Sequence, residues 1–422
     1  MNIATRLHLL DAVRRSTQAD SARAAAPRAA ARARKVVAAA LGEVRRCEQQ
    51  LAAARGQERL AAAEELVTAR NAYAAQARRE RDARAAVRRT FTAARAANRT
   101  LAAQYAPYAR SRDTGGRRRS AVAASLLDEL AAMPLDLIRA ADVLAVHSSG
   151  GKDSVVMLHR LVAWAEKAGC KHKIVVVHCD LGDTSEWPGV RELAQRQAER
   201  YGLRFVAVDS TGGLLGLVEK RGMFPDAARR LCTSSLKRDK ANVLLTAIVA
   251  ALGLTRQAIV INCLGLRADE SPARSRKAPL SVDTRTSNSK KLVLAWHPIL
   301  QTTEAEVWQE IAGSGLEYHP AYDALMPRLS CVFCVLAGFN VLVRAVRLCW
   351  ALDLPLPEQY TDLEARIGHR FKEQYSLADV VAEAARVQAE EGPLTWRPGD
   401  AIRDQLGESA AADYLDRIAL AA

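Results

Sequence analysis

The residues best suited to chemistry lie in one short run, Ser149-Gly150-Gly151-Lys152-Asp153-Ser154. It follows the apolar segment Val143-Leu-Ala-Val-His147 and precedes a segment, Ser154 to Ala168, with the spacing of an amphipathic helix. A glycine pair between a buried strand and a helix N-terminus lets backbone N–H groups wrap an anion, and the helix dipole favours negative charge there. Ser149 and Ser154 add hydroxyl donors, and Lys152 can add a positive charge. Asp153 needs a metal or a structural hydrogen bond to sit beside phosphate. The competing reading is an ordinary strand-to-helix turn. The P-loop pattern G-x-x-x-x-G-K-[ST] is absent, as is the dinucleotide fingerprint.

Eight cysteines are spread over 422 residues, too sparse for a disulfide scaffold. Only Cys331 and Cys334 form a C-x-x-C, and Cys232 is a third thiol that could join them. This spacing suits an iron–sulfur cluster or zinc without choosing between them. A fourth ligand would have to be Cys349, His319 or another group, and the alternative is a buried, inert C-x-x-C.

These residues need a scaffold. Besides 143–147, β-rich runs occur at 173–178, 203–208 and 258–262, separated by helical segments such as 189–201 and 237–252. Strands alternating with helices predict a doubly wound α/β fold, a parallel sheet covered on both faces. Residues 29–105 are rich in Ala, Arg, Glu and Gln and predict a helical hairpin or coiled coil, with 54–57 as its turn. Pro107 and the segment 111–120 read as its exit and a basic linker. After 335 the chain reads as helical, most clearly over 360–374. The expected divisions are 1–118 as a helical arm, 119–335 as the catalytic domain and 336–422 as a helical C-terminal region.

Charge divides the same way. The net charge is +14, and residues 1–140 alone hold 27 Lys and Arg against 13 Asp and Glu. The arm is therefore a candidate surface for nucleic acid, DNA or tRNA, or for homo-oligomerisation, the bland reading being a solvated Ala/Arg helix. No run of 18 apolar residues and no secretory signal is evident, which predicts a cytoplasmic protein without a membrane span.

The hexapeptide resembles the signature of the PP-loop ATP pyrophosphatase superfamily (adenine nucleotide alpha hydrolase-like), in its phosphoadenosine phosphosulfate reductase branch. The resemblance covers about residues 140–380. Val177-His-Cys-Asp180 is similar to the end of the family's second strand, which implies that Asp180 lies near the nucleoside. Arg230-Leu-Cys-Thr-Ser-Ser-Leu-Lys237-Arg238 resembles the family's Cys-Thr…Lys segment, and Leu264 to Arg274, with Arg267 and Arg274, its substrate-side stretch. His297-Pro-Ile-Leu with Thr303 to Trp308 is similar to its Pro-to-Trp segment.

The resemblance implies that Ser149 to Ser154, Asp180 and Arg274 bind ATP or an adenylyl sulfate nucleotide with Mg²⁺. It implies that Lys152, Asp153, Lys237 and Arg267 act in cleavage at the α-phosphate, giving AMP and pyrophosphate. Cys232, Cys331 and Cys334 become candidate ligands of a 4Fe-4S cluster, with zinc less favoured. Two departures shape the reaction: the loop is the complete ATP-type version, and the C-terminal Glu-Cys-Gly nucleophile of true reductases is missing. Both favour activation of a substrate for sulfur transfer, as in cluster-dependent tRNA thiolases and DNA phosphorothioation subunits. The alternatives are a sulfonucleotide reductase that releases sulfite with thioredoxin, and a non-catalytic nucleotide- or nucleic-acid-binding subunit.

Overall fold

The structure is a computed structural model that describes residues 2–55, 58–105, 116–210, 212–226 and 230–421. They fall into two compact units, Met1–Leu127 and Asp128–Ala422.

The first unit is a hairpin of two long helices, α1 (Ile3–Ala53) and α2 (Glu58–Tyr105). Its antiparallel register is visible in cross-links: the Asn98 amide donates to Asp20 at 3.1 Å, Arg34 stands 3.7 Å from Glu80, and Arg70 donates to Glu48 at 2.9 Å. Near the turn, Val44, Cys47, Leu66 and Ala69 form a small core flanked by Leu51 and Tyr73. With so much alanine at the seam the helices approach closely, and the longer side chains are left to solvent. Helix α1 begins at residue 3, not near 29, and runs through Pro27. The Asn2 side chain caps it by accepting from Thr5 N at 2.9 Å, and Leu7, Leu9, Leu10, Ala12 and Val13 are buried along its first turns. Packing thus outweighs the cost of an internal proline. Gly56 and Gln57, part of the expected turn, lie outside the described residues, as do Pro107 and residues 111–115 of the expected linker. Residues 116–120 of that linker are helical, within α3 (Gly116–Ala131).

In the second unit, α4 (Pro134–Ala140) leads into β1 (Val143–His147), α5 (Lys152–Lys167), β2 (Ile174–Asp180), α6 (Val190–Glu199), β3 (Arg204–Asp209) and α7 (Gly213–Arg221). A π-helix, Cys232–Arg238, runs into α8 (Asp239–Ala251), then β4 (Ala258–Leu264), the single turn α9 (Pro272–Ser275), β5 (Leu280–Val282), β6 (Lys291–Trp296) and α10 (Glu304–Ser314). The chain ends in α11 (Phe339–Ala351), α12 (Leu356–Ile367), α13 (Leu377–Glu391), α14 (Asp400–Leu406) and α15 (Glu408–Ala421).

The strands form one sheet in the order β3-β2-β1-β4-β6-β5, parallel except for β5 at the edge. On one face Val143, Ala145, Val175, Val177, Val260 and Val293 pack with Leu245, Ile248 and Val249 of α8. Strands covered on both faces must be apolar throughout, which is why β1 reads as a continuous run and not as an alternation. Successive strands move outward from β1 to β3, and the chain then returns to place β4 on the other side of β1. Ligands bind at such a switch point, outside the carboxyl ends of the strands.

Strands β5 and β6 were not legible as strands. β5 has three residues, and β6 opens on a lysine. Lys291 is nevertheless buried, its ammonium donating at 2.8 Å to both Asn242 Oδ1 and Thr246 Oγ1 of α8. The helix expected over 360–374 ends at Ile367, where Gly368 turns left-handed (φ 64°). The helices after 335 share a core with Trp187, Leu214 and Phe333.

Candidate nucleotide site at the sheet switch point

Strand β1 delivers Ser148 to Gly151 to the switch point, and Gly151 is the N-cap of α5. Gly150 adopts φ +71°, and a Cβ there would lie 3.1 Å from the Val190 carbonyl oxygen, so the position admits little but glycine. Four consecutive N–H groups line the turn. Gly150 N donates to Ser148 Oγ at 3.2 Å, and Ser149 N to Ser154 Oγ at 3.4 Å. Gly151 N donates to Ser149 Oγ at 3.4 Å, and Lys152 N to the Tyr322 hydroxyl at 3.1 Å. The three serine contacts sit at or beyond the long end of the ordinary N–H···O range. Weakly engaged donors backed by a helix N-terminus are what an incoming anion can recruit.

Asp153 finds its structural partner in Arg267, whose Nε donates to Oδ1 at 2.6 Å. Arg267 follows β4, is 2% exposed, and also binds Asp269 through Nη1 at 2.5 and 2.6 Å. Burial works against its charge, but Asp153, Asp269 and Glu304 hold its pKa above the usual value. Gly265 permits the contact, since a Cβ there would stand 3.0 Å from the Asp153 carbonyl oxygen.

Arg274 is ion-paired to Glu270, and Arg328 donates to the Glu270 carbonyl at 3.1 Å. Arg274 is held below the usual arginine value first by burial, then by the charges of Arg328, Arg267 and Arg230, with Asp153 opposing. Glu270 is thus shared between the guanidinium groups of Arg274 and Arg328.

Lys152 departs from expectation. It is the first residue of α5, only 1% exposed, and its ammonium donates to the Pro327 carbonyl at 2.9 Å, pairs with Glu304 at 3.1 Å and lies 5.0 Å from the centre of the Tyr322 ring. The charge is balanced inside the body of the domain, so Lys152 ties 322–327 to α5 and does not face the cradle. Asp180, at the end of β2, accepts from Gly182 N at 2.8 Å and from Arg191 at 2.9 Å.

Two contributors escaped sequence reasoning. The Tyr322 hydroxyl accepts from Lys152 N and from Leu329 N (3.2 Å), and burial pushes its pKa up. Gln197 of α6, 2% exposed, donates to the Gly150 and Glu317 carbonyls at 3.2 and 2.9 Å. Neither belongs to a motif. A polar residue on the buried face of α6 was the only available signal.

Cys179, Cys232 and Cys331 gather around Lys237. In the π-helix, hydrogen bonds run from i to i+5, which brings Cys232 and Lys237 to one side. Burial disfavours the Lys237 ammonium, yet Cys331, Glu186, Cys179 and Cys232 around it keep its pKa above the usual value. Burial pushes Cys331 up to about 12, while Lys237 pulls it down. Cys232, Cys331 and Cys334 do not close to within 4.8 Å of one another, the compactness that a single zinc ion asks of its thiolates. A cluster distributes its thiolates over different irons and accepts a wider spread. His319 is not a fourth ligand, because Nδ1 accepts from Ala321 N at 3.1 Å and Nε2 donates to the Pro188 carbonyl at 2.9 Å. Cys349 is wholly buried in α11.

Residues 143–337 match the phosphoadenosine phosphosulfate reductase domain family. No curated protein sequence matches the chain. Among solved structures, it is similar to FMN adenylyltransferase of Candida glabrata in complex with FMN and the ATP analogue AMPCPP, at 13% identity over 56% of this chain and 71% of that one, with a TM-score of 0.33. It is also similar to the U34-tRNA thiolase NcsA of Methanococcus maripaludis with its 4Fe-4S cluster, at 14% identity over 67% and 89% of the two chains, with a TM-score of 0.30.

Two measurements check this geometry. Replacing Arg267 with Met leaves Asp153 and Asp269 without their buried partner, and urea denaturation should show a loss of about 3–5 kcal/mol; an unchanged midpoint would remove the pair from its central position. Burial is the main influence that lowers the pKa of His147, His297 and His319, so the fold keeps these imidazoles neutral. The unfolded chain takes up protons below about 6.5, so their stability contribution is present above that pH and is lost as pH falls through it towards the folded values. The thermal midpoint should decline between about pH 7 and pH 5, and less steeply in His319→Gln; a flat profile contradicts the assignment.

Proposed function

We propose that the domain at residues 143–337, a member of the phosphoadenosine phosphosulfate reductase domain family, binds ATP at Ser149 to Ser154 and cleaves it at the α-phosphate to activate a substrate for sulfur transfer. The observation that carries this reading is the complete cradle: four consecutive N–H donors at a helix N-terminus, three of them closed only by long contacts to serine hydroxyls. A nucleotide lacking the β,γ-pyrophosphate would leave that investment without a ligand.

In this reading the acceptor attacks the α-phosphorus, the bond to the bridging oxygen breaks, and pyrophosphate departs with its new charge met by the cradle N–H groups and by Arg274 and Arg328. Fixed donors aimed at developing charge supply most of the acceleration in phosphoryl-type transfers. Asp153, whose Oδ1 is taken by Arg267, would offer its other oxygen to a Mg²⁺ ion that balances phosphate charge. Arg267 and Lys152 are positioning residues. Asp180, at the end of β2, is assigned to the nucleoside side.

Cys232, Cys331 and Cys334 around Lys237 would hold a 4Fe-4S cluster, and a three-thiolate site fits a donor set in which His319 is committed elsewhere. Such a cluster supplies iron to which a sulfur donor can bind. Cys331, raised to about 12 by burial, is poorly suited to act as a free thiolate nucleophile, which disfavours direct reduction of an activated sulfate. The acceptor class that fits the arm is nucleic acid, since Arg78, Arg79, Arg81, Arg88 and Arg89 of α2 are exposed.

Anaerobically purified protein should release pyrophosphate and AMP from ATP, with the rate lowered at least about a hundredfold in Asp153→Ala; sulfite release from phosphoadenylyl sulfate with thioredoxin, without ATP cleavage, overturns the reading. The same preparation should absorb visible light and lose that absorption in Cys331→Ser, whereas stoichiometric zinc in place of iron removes the cluster from the proposal.

A further inference from the structure

We propose that His178, Asp180 and Glu186 form a divalent-metal site for a first-row transition ion, built against the back of the nucleotide cradle. It goes beyond the nucleotide reading above, shares only Asp180 with it, and is tested without nucleotide.

The argument starts from the His178 ring. Nδ1 lies 3.0 Å from the Ser148 carbonyl oxygen, which can only accept, so Nδ1 carries the ring proton. With that one proton on the ring, Nε2 presents a bare lone pair. It is buried in a residue 1% exposed and has no hydrogen-bond partner. It faces Glu186 Oε2 at 3.4 Å, within ion-pair range but outside hydrogen-bond geometry. Two acceptors confronting each other in a buried site call for a cation between them.

Asp180, two residues along β2, completes the set. One donor atom from each of His178, Asp180 and Glu186 lies within 4.8 Å of the others, and among the described residues no other group of His, Cys, Asp or Glu does so. Ligands about 2.1 Å from one shared ion stand roughly 3–4 Å apart, so a small side-chain movement closes the site. The carboxylates retain capacity: Asp180 accepts one bond at each oxygen, from Gly182 N and Arg191, and Glu186 Oε2 accepts a long one from Leu181 N at 3.4 Å. Arg191 on Asp180 and Lys237 near Glu186 offset part of the negative charge.

One imidazole with two carboxylates suits Mn²⁺, Fe²⁺ or Zn²⁺ better than Mg²⁺. A ligating histidine characteristically donates its other N–H to a carbonyl or carboxylate, as His178 does to Ser148. Ser148 Oγ in turn accepts from Gly150 N at 3.2 Å, so an ion on Nε2 would stiffen the turn that holds the cradle donors.

The discriminating probe is Mn²⁺ alone, which favours oxygen and imidazole over the thiols of Cys232, Cys331 and Cys334. Full-length protein without nucleotide is titrated with Mn²⁺, and free ion is read by electron paramagnetic resonance. The expected result is one tight ion per chain, weakened about tenfold or more by His178→Gln and by Glu186→Gln but retained in Cys331→Ser. No depletion of free Mn²⁺, or equal affinity in all variants, overturns the site. If His178→Gln does not fold, Glu186→Gln decides alone, since that side chain is 14% exposed and tolerates the change more readily. Pyrophosphate release plays no part in this readout, so failure here and failure of the nucleotide reading are separable.

Discussion

The buried ion pair between Arg267 and Asp153 is the contact on which the site depends. It joins the exit of β4 to the first turn of α5 across the switch point, with Gly265 removing the Cβ that would hold them apart. A charge buried this deeply is tolerated only when it is matched, and Arg267 is matched by Asp153, by Asp269 and, at 3.7 Å, by Glu304. Helix α5 cannot shift along its axis without breaking that arrangement, so the cradle N–H groups keep their direction whether or not a ligand is present. Pre-set donors lose no reorganisation energy when charge develops.

Lys152 extends the same constraint to the cysteine loop. Its N–H meets the Tyr322 hydroxyl and its ammonium meets the Pro327 carbonyl, so both ends of one residue grip the segment that runs on to Cys331. That segment is pinned again where Val332 N donates to the Ser185 carbonyl at 2.9 Å. A lysine that looks like a phosphate ligand in the sequence is therefore the mechanical link between the anion cradle and the thiols. Its positive charge is balanced by Glu304 at 3.1 Å.

Much of this was legible from the residues. The cradle, four of the strands, the paired helices of the arm and the helical C-terminal region follow from apolar runs, glycine placement and helix propensity, all local properties of the chain. Tyr322, Gln197 and the inward turn of Lys152 were not legible, because each depends on contacts between residues separated by more than 40 positions, to which spacing is blind. Strand β6 was hidden by Lys291, whose burial makes sense only once Asn242 and Thr246 of α8 are seen to solvate it. The start of α1 was hidden by Pro27, a residue whose local cost is outweighed by packing along the hairpin. His319, a reasonable ligand by residue type, is ruled out by what both its nitrogens already do.

The switch point also divides the chemistry. On the β4 side stand Arg267, Arg274 and Arg328 with the carboxylates of Asp153, Asp269, Glu270 and Glu304 that pair with them. On the β2 side stand Cys179, Glu186, His178 and, from the π-helix, Cys232 and Lys237, a region of soft and titratable donors. Ser148 belongs to both, because its hydroxyl receives the Gly150 N–H while its carbonyl receives the His178 ring. One short turn, Ser148 to Gly151, therefore separates the guanidinium groups that follow β4 from the imidazole, carboxylate and thiol groups at the end of β2.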